Sequence, residues 1–164
     1  MNYTAEQQVW IGLRFVMGFM FLWAFIDKVF GLGFATAPEK SWLNGVSPTT
    51  GFLSHSSGWF ASIFQSLAGS PVVDVLFMAG LLLIGLALLL GVGMKVAGWS
   101  GGLMVLLMWL ANFPPEHNPI IDEHTVYLLA LIGLAVTNQK PGRMFGLGQA
   151  WSETAIVKKF PWLE

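Results

Sequence analysis

Residues 71–113 read PVVDVLFMAGLLLIGLALLLGVGMKVAGWSGGLMVLLMWLANF. Two apolar runs, Pro71 to about Gly93 and Val96 to Phe113, are parted only by Met94-Lys95 and neighbours, and Pro114-Pro115 ends the second. Each run has roughly the 20 residues that a helix needs to cross hydrocarbon. So short a link predicts a tight antiparallel hairpin. Ala97-x-x-x-Gly101 and Gly98-x-x-x-Gly102 place small residues one turn apart, which lets helix backbones approach closely in lipid.

Outward from this hairpin, Val9 to Phe30 forms an earlier span, apolar and aromatic apart from Arg14, Asp27 and Lys28. A fourth span is expected from Pro119 to Asn138, because a start at the first unbroken apolar run would leave it too short for a bilayer. Asn118 would cap it with Pro119 at the first helical position, as Ser70-Pro71 do before the second span. Ser70-Pro-Val-Val-Asp74 and Asn118-Pro-Ile-Ile-Asp122 therefore read as a weak internal repeat of two similar helical hairpins. The connection Gly31 to Gly69 carries turn signals at Pro38, Asn44-Gly45 and Ser47-Pro48. Its aromatic stretch Trp59 to Leu67 reads as a short interfacial helix. The expected fold is an all-α membrane protein, one domain over residues 1–164, built as a four-transmembrane-helix bundle with a long first outer loop.

Composition agrees. Of the chain, 55% is hydrophobic and 10% charged, against about 25% charged in soluble domains, and the mean hydropathy is +0.65. A formal net charge of -1 with scattered cations offers no basic stripe for nucleic acid. The absence of cysteine excludes disulfides, thiolate metal sites, iron–sulfur clusters and a CxxC relay. No flavin motif is present, and a bis-histidine haem would want histidines on two spans at membrane depth. The first eight residues lack the positive region of a signal peptide, so the first apolar run is expected to stay as a span.

Lys95 lies in the second connection, and Lys140, Arg143, Lys158 and Lys159 lie in the tail. The first and third connections hold Lys40, with Lys28 at a span edge, among Glu39, Glu116, Asp122 and Glu123. The excess of cations on one side predicts a cell-membrane protein with both termini cytoplasmic. Asp27, Lys28, Asp74 and the Glu116–His124 segment then share the outer side.

The candidate residues divide by depth. Arg14 lies well inside the first span, where it must snorkel or find a partner, and about 20 Å of helix separates it from Asp27. Trp23 precedes Asp27 by one turn on the same face, a ring beside a carboxylate that suits a planar ligand, or an interfacial tryptophan before a charged helix end. Asp74 and Asp122 each take the fourth helical position of an expected span, where the helix dipole favours negative charge. Alternatively they belong to a set of carboxylates around one pocket, with proton affinities pushed apart. Residues Pro114 to His124 form the densest polar cluster, but the spacing of His117 and His124 matches no standard metal site. Lys28 should be neutralised by Asp74 or Asp122.

Arg14 with Gly18, Phe21-x-Trp23-Ala-Phe-x-Asp27-Lys28-x-Phe-Gly-Leu-Gly33, Ser47-Pro-Thr-x-Gly51-Phe-Leu and Phe77-Met-x-Gly80-Leu form a connected pattern. It continues through Pro114-Pro-x-x-Asn118-Pro-x-x-Asp122-x-His124 and Gly146-Leu-Gly148 before Trp151. Over nearly the whole chain this resembles the DoxX/DoxD family of small four-helix membrane proteins, whose DoxD branch is the membrane subunit of thiosulfate:quinone oxidoreductase. The resemblance implies an outside-facing pocket that takes electrons from thiosulfate and reduces a membrane quinone, with a second protein subunit or one pocket holding both substrates. In that reading Asp27, Asp122 and His124 converge as hydrogen-bonding and proton-transferring groups, Trp23 flanks the quinone, and Lys28 or Arg14 steadies anions, with Asp74 and Asn118 nearby. The other expectation is a non-enzymatic scaffold, or a protein binding lipid or another amphiphile, that recruits redox or envelope proteins and uses the same residues to lock helix ends together.

Overall fold

Thr4 begins the first helix by exchanging hydrogen bonds with Gln7: its hydroxyl accepts from the Gln7 amide, and the Gln7 side chain accepts from the Thr4 amide. The computed structural model describes residues 3–164. Helix α1 (Ala5–Phe30) ends at Gly31, whose left-handed backbone points its amide to the Asp27 carbonyl and brings Pro38 so near that a Cβ there would lie 2.7 Å from it. The connection holds two 3-10 turns and the short helices α2 (Thr50–Ser54) and α3 (Ala61–Ser66). The expected interfacial helix over Trp59 to Leu67 is thus confined to six residues.

Helices α4 (Pro71–Leu90) and α5 (Met94–Ala111) form the expected hairpin, and α6 (Glu123–Val136) follows. The tail carries α7 (Pro141–Met144), α8 (Gly148–Ser152), α9 (Ala155–Lys159) and a final 3-10 turn. No strand occurs among the described residues.

The small residues set the helix pairing. Gly18 of α1 meets Leu88 and Leu89 of α4, and Gly85 of α4 meets the Leu22 backbone, so α1 and α4 run antiparallel in close contact. Gly98 of α5 sits against Leu131 and Ala135 of α6, Gly102 against Leu128, and Gly101 contacts both Ile84 of α4 and Leu131. A Cβ on Gly98 would lie 2.6 Å from the Leu131 carbonyl, a distance that no side chain tolerates. Trp10 of α1 against Gly133 of α6 closes the ring. The seam buries Met17, Met78, Leu81, Leu88, Val105 and Leu131, while Phe19, Leu76, Leu83, Leu103 and Leu129 face outward, as in a protein whose solvent is lipid.

One expectation is corrected. The fourth helix does not begin at Pro119: the Asn118 side chain accepts from the Ile120 and Ile121 amides in a local turn, and Asp122 is the residue that caps α6. Asp122 is therefore not a fourth-position homologue of Asp74, and the repeat with Ser70–Asp74 fails. Three helices, α1, α4 and α5, have the length and hydropathy to cross a membrane, and α6 is a shorter apolar helix whose 14 residues span about 21 Å.

Candidate functional site at the loop end

One end of the bundle gathers residues 31–69 and 112–122, and the helix ends there supply polar groups to the connection. Asp27, 1% exposed, accepts from the Phe34 and Ala35 amides, the latter at 3.0 Å. Asp74, 7% exposed, accepts from the Ser47 hydroxyl at 2.8 Å and from the Thr49 hydroxyl. At the end of α5, Asn112 accepts from the Ser57 amide and the Phe113 carbonyl from the Trp59 amide, with the Trp59, Phe113 and Trp109 rings packed in series. The loop is thus fastened in turn to α1, α4 and α5. A buried carboxylate without such donors would carry the full cost of desolvation.

The structure joins Asp122 and His124. One Asp122 oxygen caps α6 by accepting from the His124 and Thr125 amides, and the other lies 2.9 Å from His124 Nδ1, both side chains half-buried. Trp109 donates its ring N–H to the Ile120 carbonyl, which ties the segment before Asp122 to α5. Asp122, Glu123 and His124 hold three potential ligand atoms within 4.8 Å of one another, but His124 Nδ1 is already committed to Asp122. Asn118 is exposed and serves its own turn.

The hydrogen bonds of Asp27 and of the Asp122–His124 pair go to separate partners and do not link the two groups. Trp23, half-buried, lies between Phe19, stacked at 5.8 Å, and Phe34, edge-on at 5.1 Å. Lys28 makes no ion pair among the described residues: its ammonium lies 6.0 Å above the Phe77 ring, so the expected pairing with Asp74 or Asp122 is replaced by a cation–aromatic contact. Asp74 instead accepts from the Ser47 and Thr49 hydroxyls, both at its Oδ1. Those two hydroxyls lie in the Ser47-Pro-Thr stretch, whose spacing predicts a turn but not its acceptor.

Arg14 belongs to the opposite, tail end. It is fully buried, donates to the Phe145 carbonyl at 2.8 Å and lies over the Phe15 ring. Snorkelling to headgroups is therefore overturned, because the tail seals the guanidinium in. Its Nε and Nη1 have no hydrogen-bond partner. Gly91 and Gly146 make room for it, since a Cβ on Gly91 would lie 2.2 Å from Nη1.

No protein-family model, curated protein or solved structure matches this chain.

Proposed function

We propose that this chain is the membrane-embedded part of a quinone-linked oxidoreductase, similar to the thiosulfate:quinone enzymes. In this reading it is a four-span protein of the cell membrane with both termini cytoplasmic. The fourth crossing is Pro119 to Asn138, with helix α6 as its helical part. The observation that supports the reading is the Asp122–His124 pair, a carboxylate against an imidazole at 2.9 Å beside an apolar bundle that quinone reaches from lipid.

Quinone reduction takes up two electrons and two protons, and two thiosulfate ions joined as tetrathionate release two electrons. An imidazole whose Nδ1 is held by a carboxylate keeps Nε2 for proton exchange. Trp23 offers a planar wall for the ring, Lys28 attracts anions at the rim, and a second protein subunit supplies the site for the donor. Asp27 and Asp74 act here as positioning residues that hold the loop, and Arg14 holds the tail. The test is spectroscopic quinone reduction by thiosulfate with the purified protein, alone and with its partner, together with chemical identification of any copurified quinone.

The non-enzymatic reading has its own support: the carboxylates of Asp27 and Asp74 both accept from loop donors, as in a bundle whose polar residues only lock its ends. Stable partner proteins in a pull-down, with no extractable quinone and no turnover, would select this scaffold or amphiphile-binding reading.

A further inference from the structure

The tail folds back against the α4–α5 link. The Lys95 amide donates to the Glu164 carbonyl at 2.9 Å and its ammonium to the Pro161 carbonyl, while Trp151 donates its ring N–H to the Leu163 carbonyl. Two cavities flank Lys95. One, of about 380 Å³, is an apolar groove along Val96, Trp99, Ser100 and Trp162, with both indoles largely exposed. The other, of about 280 Å³, brings Lys95, Lys140 and Arg143 around the Glu164 side chain, next to Leu134 and Val136 at the end of α6.

We propose that these adjoining cavities seat one anionic phospholipid, its phosphodiester between Lys95, Lys140 and Arg143 and an acyl chain along Val96, Trp99 and Trp162. Three cations converge on a single side-chain carboxylate: Glu164 contacts Arg143 and lies 3.7 Å from Lys140, leaving the Lys95 ammonium only a carbonyl oxygen. The side chains of the cluster therefore carry more positive than negative charge at a helix end, where basic pockets between spans hold acidic headgroups. Exposed tryptophans beside it mark the depth of the headgroup layer. A free phosphate would satisfy the cations but has no use for the groove, which is why a lipid is the occupant. Glu164 acts as a built-in competitor, occupying two of the three cations. The inference rests on the membrane reading of the helices and not on quinone chemistry.

The test is native mass spectrometry of the full chain released from mixed micelles of phosphatidylglycerol and phosphatidylcholine, comparing retention of the two. Phosphatidylglycerol should be retained preferentially, and Lys95→Gln, Lys140→Gln and Arg143→Gln should each lower the preference about fivefold. Glu164→Gln, which keeps every cation and removes the competitor, should raise it. Equal retention of the two lipids, or a preference that survives the combined lysine and arginine substitutions, overturns the proposal. So does displacement of phosphatidylglycerol by millimolar inorganic phosphate, which would reveal an anion site without a lipid. If the combined variant does not fold, Glu164→Gln decides alone, and an unchanged or lower preference rejects the site. Retention is read without turnover, so a chain that reduces no quinone still answers the question.

Discussion

Arg14 and Phe145, 131 positions apart in the chain, are joined by a guanidinium-to-carbonyl hydrogen bond of 2.8 Å that fastens the tail to the first helix. Arg14 itself is fully buried while Phe145 stays largely exposed, and Leu147 donates to the Leu90 carbonyl beside the bond.

Replacing Arg14 should release that tail. Arg14→Ala removes the bond and the contact with Phe15, a loss of about 1.5–3 kcal/mol for a hydrogen bond to a charged group. Arg14→Lys should fall between the two, since an ammonium lacks the planar fork. Melting temperature and the rate of proteolysis within residues 140–148 are the measurements. A tail cleaved no faster in Arg14→Ala than in the parent would remove the latch.

At Asp27 the prediction concerns stability. An amide has one acceptor oxygen and presents an NH₂ to the second backbone donor, so Asp27→Asn should lower thermal stability by about 1–3 kcal/mol. Any loss of quinone turnover should follow the loss of fold. A variant that melts like the parent yet is inactive would return Asp27 to the catalytic set.

Asp122→Asn should behave in the opposite way. Asparagine caps helices as well as aspartate does, so stability should change by less than about 0.5 kcal/mol, while the charge that orients His124 disappears and turnover falls. Asp122→Ala also loses the cap, which costs about 1 kcal/mol more. Paired melting and turnover curves separate the roles. Unchanged values for both in Asp122→Asn would show that this aspartate supports neither.

The Glu164 cluster predicts a pH dependence. Burial alone would raise the Glu164 carboxyl, but the Arg143 hydrogen bond and the charges of Arg143, Lys140 and Lys95 outweigh it and hold the group below its ordinary value of 4.5. A carboxylate depressed on folding contributes stability that is present above 4.5 and lost as pH falls through its lower folded value. Tail docking should therefore weaken only under acid, and Glu164→Gln should flatten that response. Proteolysis of the tail across pH reads both. An identical acid profile in the two proteins would exclude this carboxylate.

Orientation can be measured on the cysteine-free chain. A cysteine at position 117 should react with an impermeant reagent from outside the cell and one at position 140 only after the membrane is opened. Labelling of position 117 from the cytoplasmic side alone would invert the topology.

What the residues determine by themselves is what depends on neighbours in the chain. Apolar length marks α1, α4 and α5 as candidate membrane spans, Pro71 starts α4, and the spacing of Gly98, Gly101 and Gly102 marks a face for close helix packing. The start of α6 was less legible, because Asn118 and Asp122 are both competent caps four residues apart. The local turn that Asn118 closes on Ile120 and Ile121 leaves Asp122 to begin the helix. Partners distant in sequence were not legible at all. Ser47 and Thr49 for Asp74, Phe77 under Lys28, and Phe145 for Arg14 come together only when the helices pack, since a buried charge takes whichever donor, acceptor or ring the fold carries to it. Sequence therefore determined which residues had to find partners, and tertiary structure decided which partners they found.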